Sequence, residues 1–218
     1  MTSLQDQLDE ITSTTRELVR AERLAVSEHA IEALFSTGIE DHILPVGAIA
    51  PEFALKDASG HLVRSEDLLA IGPLVIKFFR GRWCPYCTTE LEAWRDLYEQ
   101  LRQLDALIVA ISPQTGRQND FLVDQHGLPF PVLSDPGCAL ADQFGLAYTV
   151  PDDLRYYYYS VMIDVPSING ESSWRLTLPA TYVIAKDRRV LFAEAHADFR
   201  VRPEPGEALD ALVGGNIL

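Results

Sequence analysis

Cys84 and Cys87 stand three residues apart in the stretch RGRWCPYC, and they are two of only three cysteines in the chain. A thiol attacks only as its thiolate, so its reactivity depends on the positive potential around it. Two thiols at this spacing can also close a disulfide, which resolves an oxidised first sulfur within the same chain. The apolar run GPLVIKFF at 72–79 reads as a buried strand, and the pattern after the cysteines reads as a helix over 85–104. Cys84 then lies at a helix N-terminus, where unpaired N–H groups and about half a unit of positive charge favour an anion. Pro85 suits the first helical turn, and Arg80 and Arg82 add charge nearby. Trp83 and Tyr86 flank the thiols, where they either shape a substrate groove or cover the end of the strand.

Two other uses of the pair compete with this one. A zinc site needs two further ligands, and the remaining candidates, Cys138, His29, His42, His61, His126 and His196, contain no second close pair. Two inert core cysteines are the plainer alternative, since free cysteine is among the most buried residue types. Redox chemistry is the leading reading, with no metal and no organic cofactor expected.

The elements that must position the pair follow from periodicity. Residues 1–38 read as helical, with Leu4, Leu8, Ile11, Thr15 and Leu18, then Leu24, Ile31, Leu34 and Phe35, near helical spacing until Gly38. Such a stripe needs cover from the parent domain or a second subunit, and a dimer interface is expected. EFALKD and HLVRSED, separated by ASG, read as a hairpin. A second buried strand covers 106–112, a helix ends at Gly127, a third strand covers 130–135, and a short helix closes at Gly145. Residues 148–179 read as loop-rich, 180–197 as strand, turn and strand, and 202–213 as a last helix. This alternation implies a layered α/β fold with a partly parallel sheet and a terminal hairpin.

At 218 residues, 47% apolar and 23% charged, the chain fits one domain over 45–218 with a helical extension over 1–44. A net charge of −14 argues against nucleic acid and anionic membrane surfaces as partners. No apolar run approaches the roughly 18 residues of a membrane helix. The first residues lack the basic-then-apolar order of a signal peptide, so a cytoplasmic location is expected.

FFRGRWCPYCTTEL resembles the active-site segment of thioredoxin-fold redox proteins, and more narrowly of the alkyl hydroperoxide reductase/thiol-specific antioxidant (peroxiredoxin-like) family. The likeness runs from about Gly47 to about Leu212 and takes in VGAIAPEF, LSDPG, LPATYVIAKD and RPEP. It implies a thioredoxin-like three-layer fold, a central mixed sheet flanked by helices. It also implies an oxidoreductase that cycles Cys84–Cys87 between dithiol and disulfide. The implied substrate is a hydroperoxide or a disulfide, and the implied reductant a thioredoxin- or glutathione-type thiol. The competing class is a non-catalytic binding protein of the same fold whose pair is a redox switch.

The departures from that family are specific. When Cys87 is matched to the peroxidatic cysteine of Pro-x-x-x-Thr-x-x-Cys, Arg80 falls on the Pro and Cys84 on the Thr. The family's peroxide-positioning Arg falls on Pro179, and a proline there matches thioredoxins, whose cis-proline lies against the cysteine pair. The resemblance therefore implies a peroxiredoxin frame with a thioredoxin-type loop, a cis Pro179 beside the thiols and a modest peroxidase rate. The family match names Cys87 as attacker. The helix geometry names Cys84, whose sulfur should face solvent and the helix N-terminus while Cys87 lies one turn in. On that geometry Cys84 is expected to attack and Cys87 to resolve.

Overall fold

A computed structural model describes residues 2–215; the last residues of the domain expected over 45–218, namely 216–218, lie outside the described residues. The extension holds two helices rather than one: α1 (Leu4–Leu18) and α2 (Ala21–Ser36). Ser3 and Asp6 form a capping box at the start of α1, and the extended backbone of Val19 ends it. Gly38, at φ +71°, terminates the second.

Strands β1 (Ala54–Asp57) and β2 (Leu62–Arg64) form the expected hairpin. Its closing SED starts α3 (Ser65–Ile71) instead of extending the strand, with Glu66 and Asp67 in the first turn and Leu69 buried. β3 (Leu74–Phe78) leads into α4 (Pro85–Asp96) and α5 (Tyr98–Gln103), so the helix expected over 85–104 is interrupted at Leu97. β4 (Leu107–Ser112), α6 (Gly116–His126), β5 (Val132–Ser134) and α7 (Ala139–Gln143) follow, with Gly127 and Gly145 both at positive φ at their turns.

The stretch read as loop-rich is largely structured. It contains β6 (Ala147–Thr149), α8 (Asp152–Ser160), α9 (Val165–Asn169) and β7 (Arg175–Thr177), with β6 and β7 paired in a small antiparallel ribbon. The chain ends with the hairpin β8 (Ala180–Ile184) and β9 (Val190–Ala195) and with α10 (Pro205–Gly215).

Seven strands form one mixed sheet in the order β2-β1-β5-β4-β3-β8-β9, parallel across β5-β4-β3 and antiparallel elsewhere. Alternation along β3 divides the core. Leu74, Ile76 and Phe78 join Tyr182, Leu140 and Phe144 on one face, while Val75 and Phe79 join α1, α4 and α10 on the other. Helices on both faces of the central sheet give the thioredoxin-like three-layer fold. Leu4 and Leu8 of α1 are buried against the second face beside Leu91 and Trp94, so this end of the extension is covered by its own chain. Leu18, at 80% exposed, lies off that contact.

Candidate active site

The apolar strand β3 ends by hydrogen bonding Phe79 N–H to the Ile111 carbonyl, and the loop 80–83 turns the chain into α4. Gly81, at φ +151°, makes that turn; a Cβ there would lie 2.5 Å from Trp83 Nε1. Cys84 is the N-cap of α4 and Pro85 its exposed first residue. The Cys84 carbonyl accepts the N–H groups of Cys87 at 3.0 Å and Thr88 at 3.1 Å. The buried face of α4 then carries Tyr86, Cys87, Glu90, Leu91 and Trp94 at helical spacing.

Both cysteines are buried, at 1% and 0% exposure. Arg202, from the segment between β9 and α10, donates through Nη2 to Cys87 Sγ at 3.5 Å and through Nη1 to Glu90 Oε2 at 2.6 Å. Glu90 Oε1 accepts from Lys77 Nζ at 2.5 Å, and Lys77 also donates to Thr181 Oγ1. Arg80 lies 3.9 Å from Cys84 Sγ through Nη1. Burial alone would raise both thiols. For Cys84 it does, reinforced by the proton shared with Cys87. For Cys87, burial is outweighed by the hydrogen bond from Cys84 and by Arg202 and Arg80, which bring it down to about 5. Arg202 and Arg80 thus favour the thiolate on Cys87 over Cys84.

Arg80 sits among aromatic rings, 4.7 Å from the Trp83 centroid and 4.1 Å from that of Phe199, and donates to the Tyr158 hydroxyl. Trp83 packs on Tyr158, and Tyr86 packs edge-on against Phe199. Among the described residues, Arg80 Nε and Trp83 Nε1 are buried donors with no partner. They belong to the walls of a crevice of about 140 Å³ that reaches Cys84, bounded on its other side by Thr12, Leu24 and Glu28 of the extension. The extension is tied down over this crevice. Thr12 Oγ1 meets Tyr86 OH at 3.0 Å, Glu28 is paired bidentately with Arg200 at 2.5 and 3.0 Å, and Glu204 accepts the N–H groups of Leu4 and Gln5.

Two expectations are corrected here. Among the described residues no peptide bond is cis, so the bond before Pro179 is trans, and the thioredoxin-type reading of that loop loses its ground. Pro179 is buried at the junction of β7 and β8. Nor does the Cys84 sulfur face solvent, because α1, α2 and the ring of Phe199 close that side, and its pKa moves up rather than down. The structure does bring Arg80, Trp83, Cys84, Tyr86 and Cys87 together. Sequence reasoning missed Arg202, Glu90 and Lys77. Lys77 carried a readable signal, a lysine in the middle of an otherwise apolar central strand, and Glu90 lies three residues after Cys87 on one helical face. Arg202, 115 residues from Cys87, had none.

The AhpC/TSA family profile matches residues 46–193, more than half of the chain. The chain belongs to the AhpC/TSA family. It is similar to the chloroplastic peroxiredoxin Q of Triticum aestivum, 32% identical over 119 residues, which are 55% of this chain and 52% of that protein. It is 33% identical over 101 residues to peroxiredoxin Bcp of Bacillus subtilis, covering 46% of this chain and 64% of the relative. The matches thus span between about half and just under two thirds of these relatives' lengths. Among solved structures it resembles peroxidoxin BcpB from Mycobacterium tuberculosis, with a TM-score of 0.61 and 26% identity over 78% of this chain and 97% of that one. The AhpC/TSA match starts after the extension, so the helices that roof the crevice lie outside the matched residues.

Proposed function

We propose that this AhpC/TSA chain is a thiol peroxidase in which Cys87 attacks and Cys84 resolves. The Cys87 thiolate attacks the terminal oxygen of a hydroperoxide; an S–O bond forms, the O–O bond breaks, and the alkoxide leaves with a proton as alcohol. Cys84 then attacks the Cys87 sulfenic sulfur, forming the S–S bond as hydroxide leaves with the Cys84 proton as water. A thioredoxin- or glutathione-type thiol returns two electrons and the protons. The observation that carries this reading is the Arg202 guanidinium donating to the buried Cys87 sulfur, a charge that holds this thiol low. Arg202, which donates to the Cys87 sulfur, supplies the guanidinium that position 179 lacks. The names of the relatives, all peroxiredoxins, support the same class.

A disulfide substrate has less support, because the trans bond before Pro179 departs from the thioredoxin pattern on which it rested. The test is a parallel assay of hydrogen peroxide, an organic hydroperoxide and insulin disulfide with a thioredoxin system. Peroxide consumption that disappears in Cys87→Ser is expected. No peroxide turnover, or an unaffected Cys87→Ser, would sink the reading.

A cytoplasmic site of action is part of the proposal, since free thiols fit a reducing compartment. So is a homodimer, which would cover exposed Leu18, Phe35 and Met162; sedimentation giving a single-chain mass would remove it.

A further inference from the structure

Lys77, Glu90 and Arg202 form a buried ionic cluster in contact with Cys87, with the side chains of all three at 1% exposure. A buried ion pair is weak evidence for stability, because desolvation offsets attraction, so a cluster placed behind a reactive sulfur calls for a chemical account. Its charges do not balance by themselves. Lys77 and Arg202 contribute two positive charges and Glu90 one negative, and the Cys87 thiolate supplies the fourth charge that brings the group to neutrality. Arg80, at the end of the strand that carries Lys77, adds a further cation beside Cys84. When Cys84 and Cys87 form a disulfide, the thiolate charge disappears and the cations lose a counter-ion inside the core. Arginine does not give up its proton in proteins. Lysine does when buried, and Lys77 is the cation of this cluster able to lose its proton.

We propose that Lys77 is a redox-linked proton carrier, protonated while Cys87 is a thiolate and neutral once the disulfide forms, with Glu90 and Arg202 as the positioning residues that couple it to the sulfur. The proposal rests on the Cys84–Cys87 pair being redox-active. Oxidation of the dithiol then releases two electrons, one proton from the Cys84 thiol and one from the Lys77 ammonium. Reduction of a hydroperoxide to alcohol and water consumes two electrons and two protons, so the cluster supplies the proton that a thiolate–thiol pair lacks. The groups that face Lys77 are consistent with this role: Glu90 and Cys87 from α4, Arg202 from the segment before α10, and the Thr181 hydroxyl from β8. Burial and Arg202 already hold Lys77 below the usual lysine range, against Glu90 and the Cys87 thiolate, which raise it. Loss of that thiolate moves it further in the same direction.

The test is the midpoint potential of the pair between pH 6 and 8 in a defined thiol–disulfide buffer, with absorbance at 240 nm reporting the thiolate over the same range. For a two-electron couple, each proton released changes the equilibrium tenfold per pH unit, about 30 mV. The full chain is expected to show a hundredfold change per unit, about 59 mV, while the 240 nm signal stays flat. Lys77→Met should fall to tenfold per unit with the thiolate signal retained. A tenfold slope in the unmodified protein overturns the proposal without any variant having to fold, and so does a hundredfold slope that survives in a folded Lys77→Met. A hundredfold slope whose 240 nm signal titrates in parallel assigns the second proton to Cys87 and likewise overturns it. A pair that cannot be oxidised overturns the peroxidase reading as well, whereas a pair that turns over peroxide with a tenfold slope overturns the Lys77 assignment alone.

Discussion

Cys87 and Cys138 are both fully buried and both lie near the start of a helix that follows a strand of the same sheet, yet their thiols are driven in opposite directions. At Cys138, burial raises the pKa, and the Asp135 carboxylate raises it further. That same carboxylate takes the N–H groups of Leu140 and Ala141, both at 2.9 Å, so the first turn of α7 is occupied by an internal cap. At Cys87 the burial is as complete, but two guanidinium groups and the Cys84 proton outweigh it. Neither enclosure nor a helix terminus makes a thiol reactive; the sign of the nearest fixed charge decides.

Four substitutions and one titration would break or sharpen that contrast. The largest effect belongs to Cys87→Ser, which should lower peroxide turnover on the order of a thousandfold or more. Cys138→Ser should stay within about twofold of the parent in the same coupled assay. Next, Arg202→Met removes the closest guanidinium, and the Cys87 thiolate absorbance should titrate about 1–3 units higher. An unchanged titration would transfer the stabilisation to Arg80 and the Cys84 thiol.

The third effect is on stability. Cys87 titrates near 5 when folded and about 8.5 in an unfolded chain, so the unfolded state holds the extra proton between these values. The reduced protein should therefore gain stability over Cys87→Ser as pH rises from about 5 to about 8.5, and lose that gain as pH falls through about 5. Urea denaturation of the two proteins at pH 5, 7 and 8.5 reads the difference. The smallest effect is expected from Asp135→Asn, which keeps a capping oxygen but removes a charge. The Cys138 thiol should move down by less than Arg202→Met moves Cys87 up, because burial remains its leading cause. Alkylation profiles of the denaturant-free protein compare the two.

What was legible in the sequence was what is local. The strand at 74–79, the helix start at Pro85 and the cluster of Arg80, Trp83, Cys84 and Tyr86 all depend on neighbours within a few residues. The terminal hairpin and the glycine-terminated helices were readable for the same reason. The helix over 152–160 was hidden because DDLRYYYYS has aromatic residues on every face, and its buried pair Leu154 and Tyr158 emerges only against α2. The destination of the amphipathic extension was equally open, since a stripe of leucines does not say which surface covers it; α4 of the same chain takes Leu4 and Leu8. The assignment of the thiolate turned on Arg202, whose approach to Cys87 is set by the path of the chain from β9 to α10. Pro179 matches thioredoxins in residue type, and its trans bond shows that one residue type in one aligned position does not carry the loop conformation with it.

The turn at Gly81 limits this site in a further way. Trp83 folds back so closely that a single methyl group on residue 81 would collide with the indole nitrogen. Arg80 is kept dry by that indole, by Phe199 and by the phenol it donates to. A methyl in place of that hydrogen, at a position that touches neither sulfur, would have to displace the indole and so loosen the cover over the guanidinium. The field that Arg80 exerts on the sulfurs would drop as the local dielectric rose. The reach of this cation thus depends on the bare Cα of its neighbour.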